Sequence, residues 1–247
     1  MFDYQAPPKL LQDRVILISG AGDGIGRAAA LSYAEHGATV ILAGRTTKKL
    51  EAVYDEIEKQ GGAQPAIIPI NLDGAAPHDY DQLADTIAQE FGRLDGLLNN
   101  ASILGARTPI ENYDPSIWNQ VMQINVNAQF YLTQAMLPLL MKSDDASIVF
   151  TSSSVGRKGR AYWGAYAVSK FATEGLMQTL ADELEGISNI RVNAINPGAT
   201  RTNMRAHAYP AENPNELPTP EQIMPVYLYL MGSDSQQTNG QSLDAQG

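Results

Sequence analysis

Short runs of β-branched and aliphatic residues alternate along this chain with longer stretches whose apolar positions recur at helical spacing. The runs fall at 14–19, 38–43, 66–70, 94–98, 147–151 and 190–195, with a weaker one near 242–245. Most carry apolar residues at consecutive rather than alternate positions. That is the pattern of strands covered on both faces, and so of a parallel sheet between two helical layers. Helices are predicted over 24–36, 47–60, 79–91, 115–141, 163–184 and 221–231, the first stopped by Gly37 at a C-cap position. No internal repeat or low-complexity segment interrupts this rhythm. Only the stretch 203–220 breaks it, with prolines at 210, 214, 218 and 220 and little apolar periodicity. A long loop is expected there, forming a lid over a site at about 201–220. The expected architecture is a single domain over 1–247, a doubly wound α/β sheet in three layers.

Composition narrows the function. The chain has 247 residues, 44% of them hydrophobic, which suits one large core. Charged residues reach 18%, so the chain is not compositionally disordered. A net charge of −10 and a pI near 4.7 repel phosphate and argue against nucleic acid as a partner. The absence of cysteine excludes disulfides, zinc–thiolate sites and thiol catalysis. His36, His78 and His207 lie apart without ligand spacing, so no metal site is expected. The first residues lack a basic head and apolar run, and no stretch matches a bilayer span. A cytoplasmic protein without membrane association is expected.

The first chemistry-bearing motif is Ser19-Gly20-Ala21-Gly22-Asp23-Gly24-Ile25-Gly26, directly after the first strand and opening the first helix. Glycines there allow a tight turn and let a phosphate approach the backbone, where free helical N–H groups and the helix dipole favour an anion. The context points to a dinucleotide-binding Rossmann fold, with Gly20, Asp23, Gly24, Ile25 and Gly26 as the cofactor-binding turn. At the end of the second strand stands Arg45, with no acid beside it. An acid there would hold the ribose hydroxyls of NAD, whereas an arginine accommodates the 2′-phosphate of NADP. NADP(H) is therefore preferred and NAD(H) remains possible. Asp23 points the other way, since a loop carboxylate near that phosphate would repel it. Lys48 and Lys49 read as solvated charges.

The second is the group Ser153, Tyr166 and Lys170. Tyr166 and Lys170 are four residues apart and share one helix face. A tyrosine of ordinary pKa, about 10, is a poor acid–base at neutral pH, and a neighbouring ammonium stabilises its phenolate. A serine at the end of the preceding strand can reach a substrate oxygen held by the tyrosine. The residues alone leave Ser152, Ser153 and Ser154 as alternatives.

Taken in order, the glycine turn, Asn99-Asn100-Ala101, Ser153, Tyr166 with Lys170, and Asn196-Pro197-Gly198 resemble the short-chain dehydrogenase/reductase family over nearly the whole chain. Within it, the resemblance is to an uncharacterised bacterial oxidoreductase subgroup. It implies hydride transfer between a nicotinamide cofactor and a small-molecule carbonyl or alcohol. It implies Tyr166 as general acid–base and Ser153 as the group polarising the carbonyl, thirteen residues before Tyr166 as is common in the family. Lys170 would bind the nicotinamide ribose and lower the Tyr166 pKa, and Asn125 would hold a water for proton relay. Asn99 and Ala101 would line the cofactor pocket, Asn71 and Leu72 the adenine end, and Pro197, Gly198 and Thr202 the nicotinamide end. The helices over 115–141 and 163–184 resemble those that pair across subunits, which implies a homodimer or homotetramer.

Three positions depart from the family pattern. Ser19 replaces a threonine, Ser102 stands where a glycine is usual, and Asn71 replaces an aspartate. None removes the catalytic set. An enoyl reductase is disfavoured, because Trp163 occupies the place where that type carries its tyrosine. An epimerase or dehydratase of the extended branch would need a longer substrate domain. The alternative of a catalytically idle NADP-binding sensor or scaffold is opposed by the intact Asn125, Ser153, Tyr166 and Lys170.

Overall fold

The computed structural model describes residues 1–247 and builds one sheet from β1 (Val15–Ser19), β2 (Thr39–Gly44), β3 (Ala66–Pro69), β4 (Gly96–Asn99), β5 (Ala146–Thr151), β6 (Ile190–Asn196) and β7 (Ser242–Asp244). All neighbours pair in parallel, in the order β3-β2-β1-β4-β5-β6-β7. The chain starts in the middle, winds outward to β3, then returns to β4 and winds the other way. That reversal between β1 and β4 opens a crevice at the carboxyl ends of the strands, the usual ligand position in such sheets.

Successive side chains of a strand point to opposite faces, so a strand covered twice needs apolar residues throughout. In β1, Ile16 and Ile18 enter one core with Tyr33, Tyr227 and Leu230, while Leu17 enters the other with Leu97, Met136, Phe150 and Met177. The first core lies under α1 (Gly24–Glu35), α2 (Thr47–Lys59) and α8 (Met224–Met231). The second lies under α3 (Pro77–Phe91), α5 (Ala128–Leu140) and α6 (Gly164–Leu184). The final helix is thus core-facing, with Tyr227 fully buried. No helix is long and apolar enough to cross a membrane.

Two expectations change. The helix predicted over 115–141 is broken: α4 (Pro115–Met122) gives way to one π turn, Gln123–Asn127, before α5 begins. A π turn keeps the backbone helical over only five residues, too short a stretch for the change of phase to stand out from the flanking helical pattern. The segment expected as an irregular loop contains α7 (Asn203–Ala208), capped by Thr202, whose Oγ1 accepts from the Arg205 N–H at 3.1 Å. A single 3-10 turn, Pro214–Glu216, follows. Six residues are too few for an apolar period to register.

Candidate active site

The crevice is closed at its base by the Ser19 hydroxyl, which accepts from the N–H groups of Asn100 at 3.0 Å and Ala101 at 3.1 Å. The usual threonine is unnecessary, because the hydroxyl alone ties β1 to the end of β4. Gly20 then turns the chain at φ +71°, a conformation that favours glycine. Gly26 has another reason: a Cβ there would stand 2.2 Å from the Gly20 carbonyl oxygen, so only glycine lets α1 pack against the turn. Gly26 supports the turn from behind and does not line the cavity.

A cavity of about 470 Å³ runs along the strand ends. Gly20, Asp23, Gly24 and Ile25 form one wall, Arg45 closes the β2 end, and Asn71 and Leu72 follow β3. Ala101 and Ser102 come from the end of β4, and Pro197, Gly198 and Thr202 from the loop after β6. Asn99 is a correction. It is fully buried and donates to Thr133 Oγ1 at 2.9 Å, on the α5 side of the sheet. Strand alternation turns its neighbour Asn100 into the cavity instead, where the Asn100 side chain bridges the Ser19 carbonyl and the Thr151 hydroxyl.

Sequence reasoning also passed over Lys49. It lines the cavity and donates to Asp23 Oδ2 at 2.5 Å. Asp23 further accepts from the Gly24 N–H at 2.8 Å and from Asn203 Nδ2 at 3.1 Å. The Lys49 contact, opposed by partial burial and aided by these two donors, holds the Asp23 carboxyl below its ordinary range. The signal for Lys49 was its place one turn after Arg45 on a helix leaving the strand end.

At the other end, Ser153 leaves β5 with extended backbone, its hydroxyl accepting from the Val155 N–H at 3.5 Å, and it lines the cavity together with Tyr166. Of its two rivals, Ser152 donates to the buried Glu174 carboxylate, and Ser154 does not line the cavity. Tyr166 lies in the first turn of α6 with its ring 5.6 Å from that of Trp163. Lys170, one turn on, is fully buried; its Nζ donates to the Thr151 carbonyl at 2.7 Å and sits 5.5 Å from the centre of the Tyr166 ring. Lys170 does not line the cavity.

The electrostatics differ from the expectation of a depressed tyrosine. Burial pushes the Tyr166 phenol up to about 12, with the neighbouring Ser153 hydroxyl acting in the opposite sense. Burial likewise pushes the Lys170 ammonium down to about 8, opposed by the Glu174 charge. Both shifts have one origin: the enclosed site disfavours any charge formed in it.

Asn125, in the π turn, is fully buried. Its Oδ1 accepts from the Ile103 N–H at 2.8 Å, and its Nδ2 donates to the Ile103 carbonyl at 2.9 Å and Ser169 Oγ at 3.0 Å. Both amide hydrogens are engaged, so the water-holding role expected of this residue cannot use its side-chain donors. The side chain clamps the loop after β4 to α6.

Comparison with known proteins agrees with this geometry. The family model described as short chain dehydrogenase matches residues 14–213. The chain is 56% identical over 243 residues to the uncharacterized oxidoreductase YciK of Escherichia coli K12, covering 98% of this chain and 96% of that protein. A short chain dehydrogenase structure from Pseudomonas syringae superposes at TM-score 0.98 with 64% identity, over 100% of both chains. One from Shigella flexneri 2a, crystallised with NADP, superposes at 0.95 with 56% identity, over 98% of this chain and 100% of that one. With the motifs in family order, the sheet topology and the family match over most of its length, the chain belongs to the short-chain dehydrogenase family and is an NAD(P)-dependent oxidoreductase acting between CH–OH and C=O groups.

Proposed function

We propose that this protein is an NADP(H)-dependent reductase of a small-molecule carbonyl, with Tyr166 as its proton donor. One observation carries the reading: the cavity with Arg45 at one end has the Tyr166 and Ser153 hydroxyls at the other. The residues fit a dinucleotide. A Cβ at Gly22 would meet Lys49 at 2.9 Å, and one at Gly20 the Ala101 backbone at 3.0 Å, so at these two positions the turn leaves room for nothing larger than glycine. The first-turn N–H groups of α1 that lack helical partners stand at this wall, where Ile25 lines the cavity. Arg45, Lys49 and Thr46 would hold the 2′-phosphate side, Asn71 and Leu72 the adenine, and Pro197, Gly198 and Thr202 the nicotinamide end. NADPH bound there supplies the hydride.

The chain's own residues handle the proton. Ser153 and Tyr166 hydrogen-bond the carbonyl oxygen and polarise it. With its pKa near 12, Tyr166 is protonated at neutral pH and so stands ready as the acid for reduction. It passes the proton to the oxygen as charge develops, and the Lys170 ammonium behind the ring offsets the phenolate left. Lys170 is held behind the Tyr166 ring by its bond to the Thr151 carbonyl, which fixes the charge beside the phenol. Asn125 positions the loop carrying Ser102 and Ile103. Residues 201–220, with α7 at their start, serve as the lid over the substrate.

The protein works in the cytoplasm, where nicotinamide dinucleotides are kept supplied. It associates as a dimer or tetramer through α5 and α6, which leave Phe130, Val168 and Phe171 more than 40% exposed. The test is NADPH oxidation against a panel of ketones, aldehydes, quinones and acyl thioesters. Turnover of none, despite tight NADPH binding, would return the idle-sensor reading.

A further inference from the structure

Three guanidinium groups meet one tyrosine beside the α7 end of the cavity: Arg205 lines the cavity, while Arg107 and Arg160 stand exposed just outside it, behind the lining residues Trp163 and Ala208. The Arg205 guanidinium carbon stacks 3.9 Å from the centre of the Tyr209 ring, and that of Arg107 lies 4.8 Å from it on the loop after β4. Arg160, from the turn before α6, donates to the Tyr209 hydroxyl at 3.2 Å. Arg107 also stacks on Trp163, at 4.9 Å, and donates to the Ala208 carbonyl. The only acid joining this cluster in an ion pair is Glu212, which binds Arg205 through two hydrogen bonds of 2.6 Å. Arg107 and Arg160 form no ion pair, and each uses a single nitrogen for its one hydrogen bond. The cluster therefore carries a surplus of positive charge in a chain whose net charge is −10.

Like charges gathered around one ring repel, and stacking on Trp163 and Tyr209 offsets that only in part. An anion between Arg107 and Arg160 removes the repulsion and engages guanidinium donors that have no protein partner. The location ties that anion to the chemistry. Trp163, Met204, Arg205 and Ala208 line the same cavity as Tyr166. From the Tyr166 ring to Trp163 is 5.6 Å, and from Trp163 to Tyr209 is 6.0 Å. Between the phenol and the cations the wall is apolar, formed by Leu104, Trp163, Met204 and Ala208.

We propose that Arg107 and Arg160 form an anion-binding subsite for the far end of the substrate, so that the enzyme acts on a carbonyl joined through a short apolar segment to a carboxylate or phosphate. This deepens the reductase reading and rests on it. Arg107 and Arg160 determine specificity and touch no reacting atom.

The test measures affinity by calorimetry on NADP⁺-loaded protein, so it does not depend on turnover. The probes are 4-formylbenzoate, 4-formylphenyl phosphate and the neutral methyl ester of the first. Wild type should bind at least one anionic aldehyde ten or more times tighter than the ester, and the preference should weaken with added salt. Whichever anionic probe binds tighter names the group, carboxylate or phosphate. In Arg107→Gln/Arg160→Gln the anion-to-ester ratio should fall at least tenfold, as expected for lost charge-assisted hydrogen bonds. A wild type that binds no anionic probe, or binds anion and ester alike, overturns the proposal. So does a double variant with an unchanged ratio, since residues that only brace α7 would affect all probes equally. If the ratio behaves as stated while NADPH reduces no aldehyde, the subsite stands and the reductase reading fails.

Discussion

Lys49, in the wall of the cofactor cavity, binds Asp23 at 2.5 Å and offsets the carboxylate of the glycine turn that argues against NADP. Read by itself, Asp23 in the glycine turn opposes a phosphate. With Lys49 and Asn203 on its oxygens and the Gly24 N–H on the other side, it caps α1 and joins the turn to α7. Arg45 lines the cavity without an ion-pair partner of its own. Arg45→Ala should raise the Kd of NADPH by about 10- to 100-fold, the scale of a charge-assisted hydrogen bond, and leave that of NADH near wild type. Lys49→Met, which unmasks Asp23, should shift the preference in the same direction by a smaller factor, about fivefold for a half-exposed pair. Fluorescence titration with both cofactors measures each ratio. Equal affinity of wild type for the two cofactors would remove the basis for an NADP preference.

Tyr166→Phe keeps the ring that packs on Trp163 and removes only the hydroxyl. Turnover should fall by about two orders of magnitude or more while the Kd for NADPH stays within a small factor. Full activity of that variant on any carbonyl reduced by wild type would transfer the proton to another donor.

The buried Lys170 makes folding sensitive to pH. Its folded pKa, near 8, lies below that of an exposed lysine, about 10.4, so between those values the unfolded chain binds more protons. Stability contributed at this position should therefore rise with pH across that window, by about 1 kcal/mol per unit, as the cost of a buried ammonium is lifted. Tyr166 acts oppositely, but only above the pKa of a free tyrosine, since its own is raised. Denaturant unfolding of wild type and Lys170→Met at pH 7.5 and about 9.5 isolates the effect, because other lysines cancel in the comparison. Wild type should gain relative to the variant. Parallel profiles would mean that the ammonium is not destabilised by burial.

Phe130, Val168 and Phe171 stand exposed on α5 and α6, outside both cores. Phe171→Glu places a charge in that patch at no cost to the interior, and light scattering should report a smaller assembly than wild type. An unchanged mass would move the interface elsewhere.

Most of the fold was legible because a parallel sheet covered on both faces writes itself as continuous apolar runs. Ile16, Leu17 and Ile18 serve two different cores and so must all be apolar. The glycine turn and the Tyr166–Lys170 spacing were legible for a similar reason, since local geometry there admits few residue types. What was not legible depends on contacts distant in sequence. Asn99 and Asn100 look equivalent in the chain, and only the facing of β4 separates them. Lys49 looks solvated until Asp23, 26 positions earlier, is seen beside it. The π turn at Asn125 is set by Ile103 and Ser169, neither near it in sequence. The rise in the Tyr166 pKa comes from enclosure, a property of the assembled site.

Gly26 offers the strictest test of the turn, because its role is steric and has a defined outcome. A methyl group there would sit 2.2 Å from the Gly20 oxygen and 2.6 Å from Asn100 Nδ2. The first neighbour is backbone, and the second is tied to the Ser19 carbonyl, so neither yields without moving the end of β1. Gly26→Ala should therefore cost about 1–3 kcal/mol, the scale of overpacking a tight core. For a chain of 247 residues that corresponds to a fall in Tm of about 2–4 °C per kcal/mol. The same displacement would shift Gly20 and the N–H groups at the start of α1, so NADPH should raise the variant's Tm less than it raises the wild type's. Gly159→Ala is the control: no atom lies within 4 Å of its added Cβ, and the change should stay within about 0.5 kcal/mol. Thermal melts of both variants with and without NADPH separate the two effects. A Gly26→Ala protein that melts like wild type and gains the same stabilisation from NADPH would show that α1 can lift from the turn, and that close packing there does not shape the cofactor site.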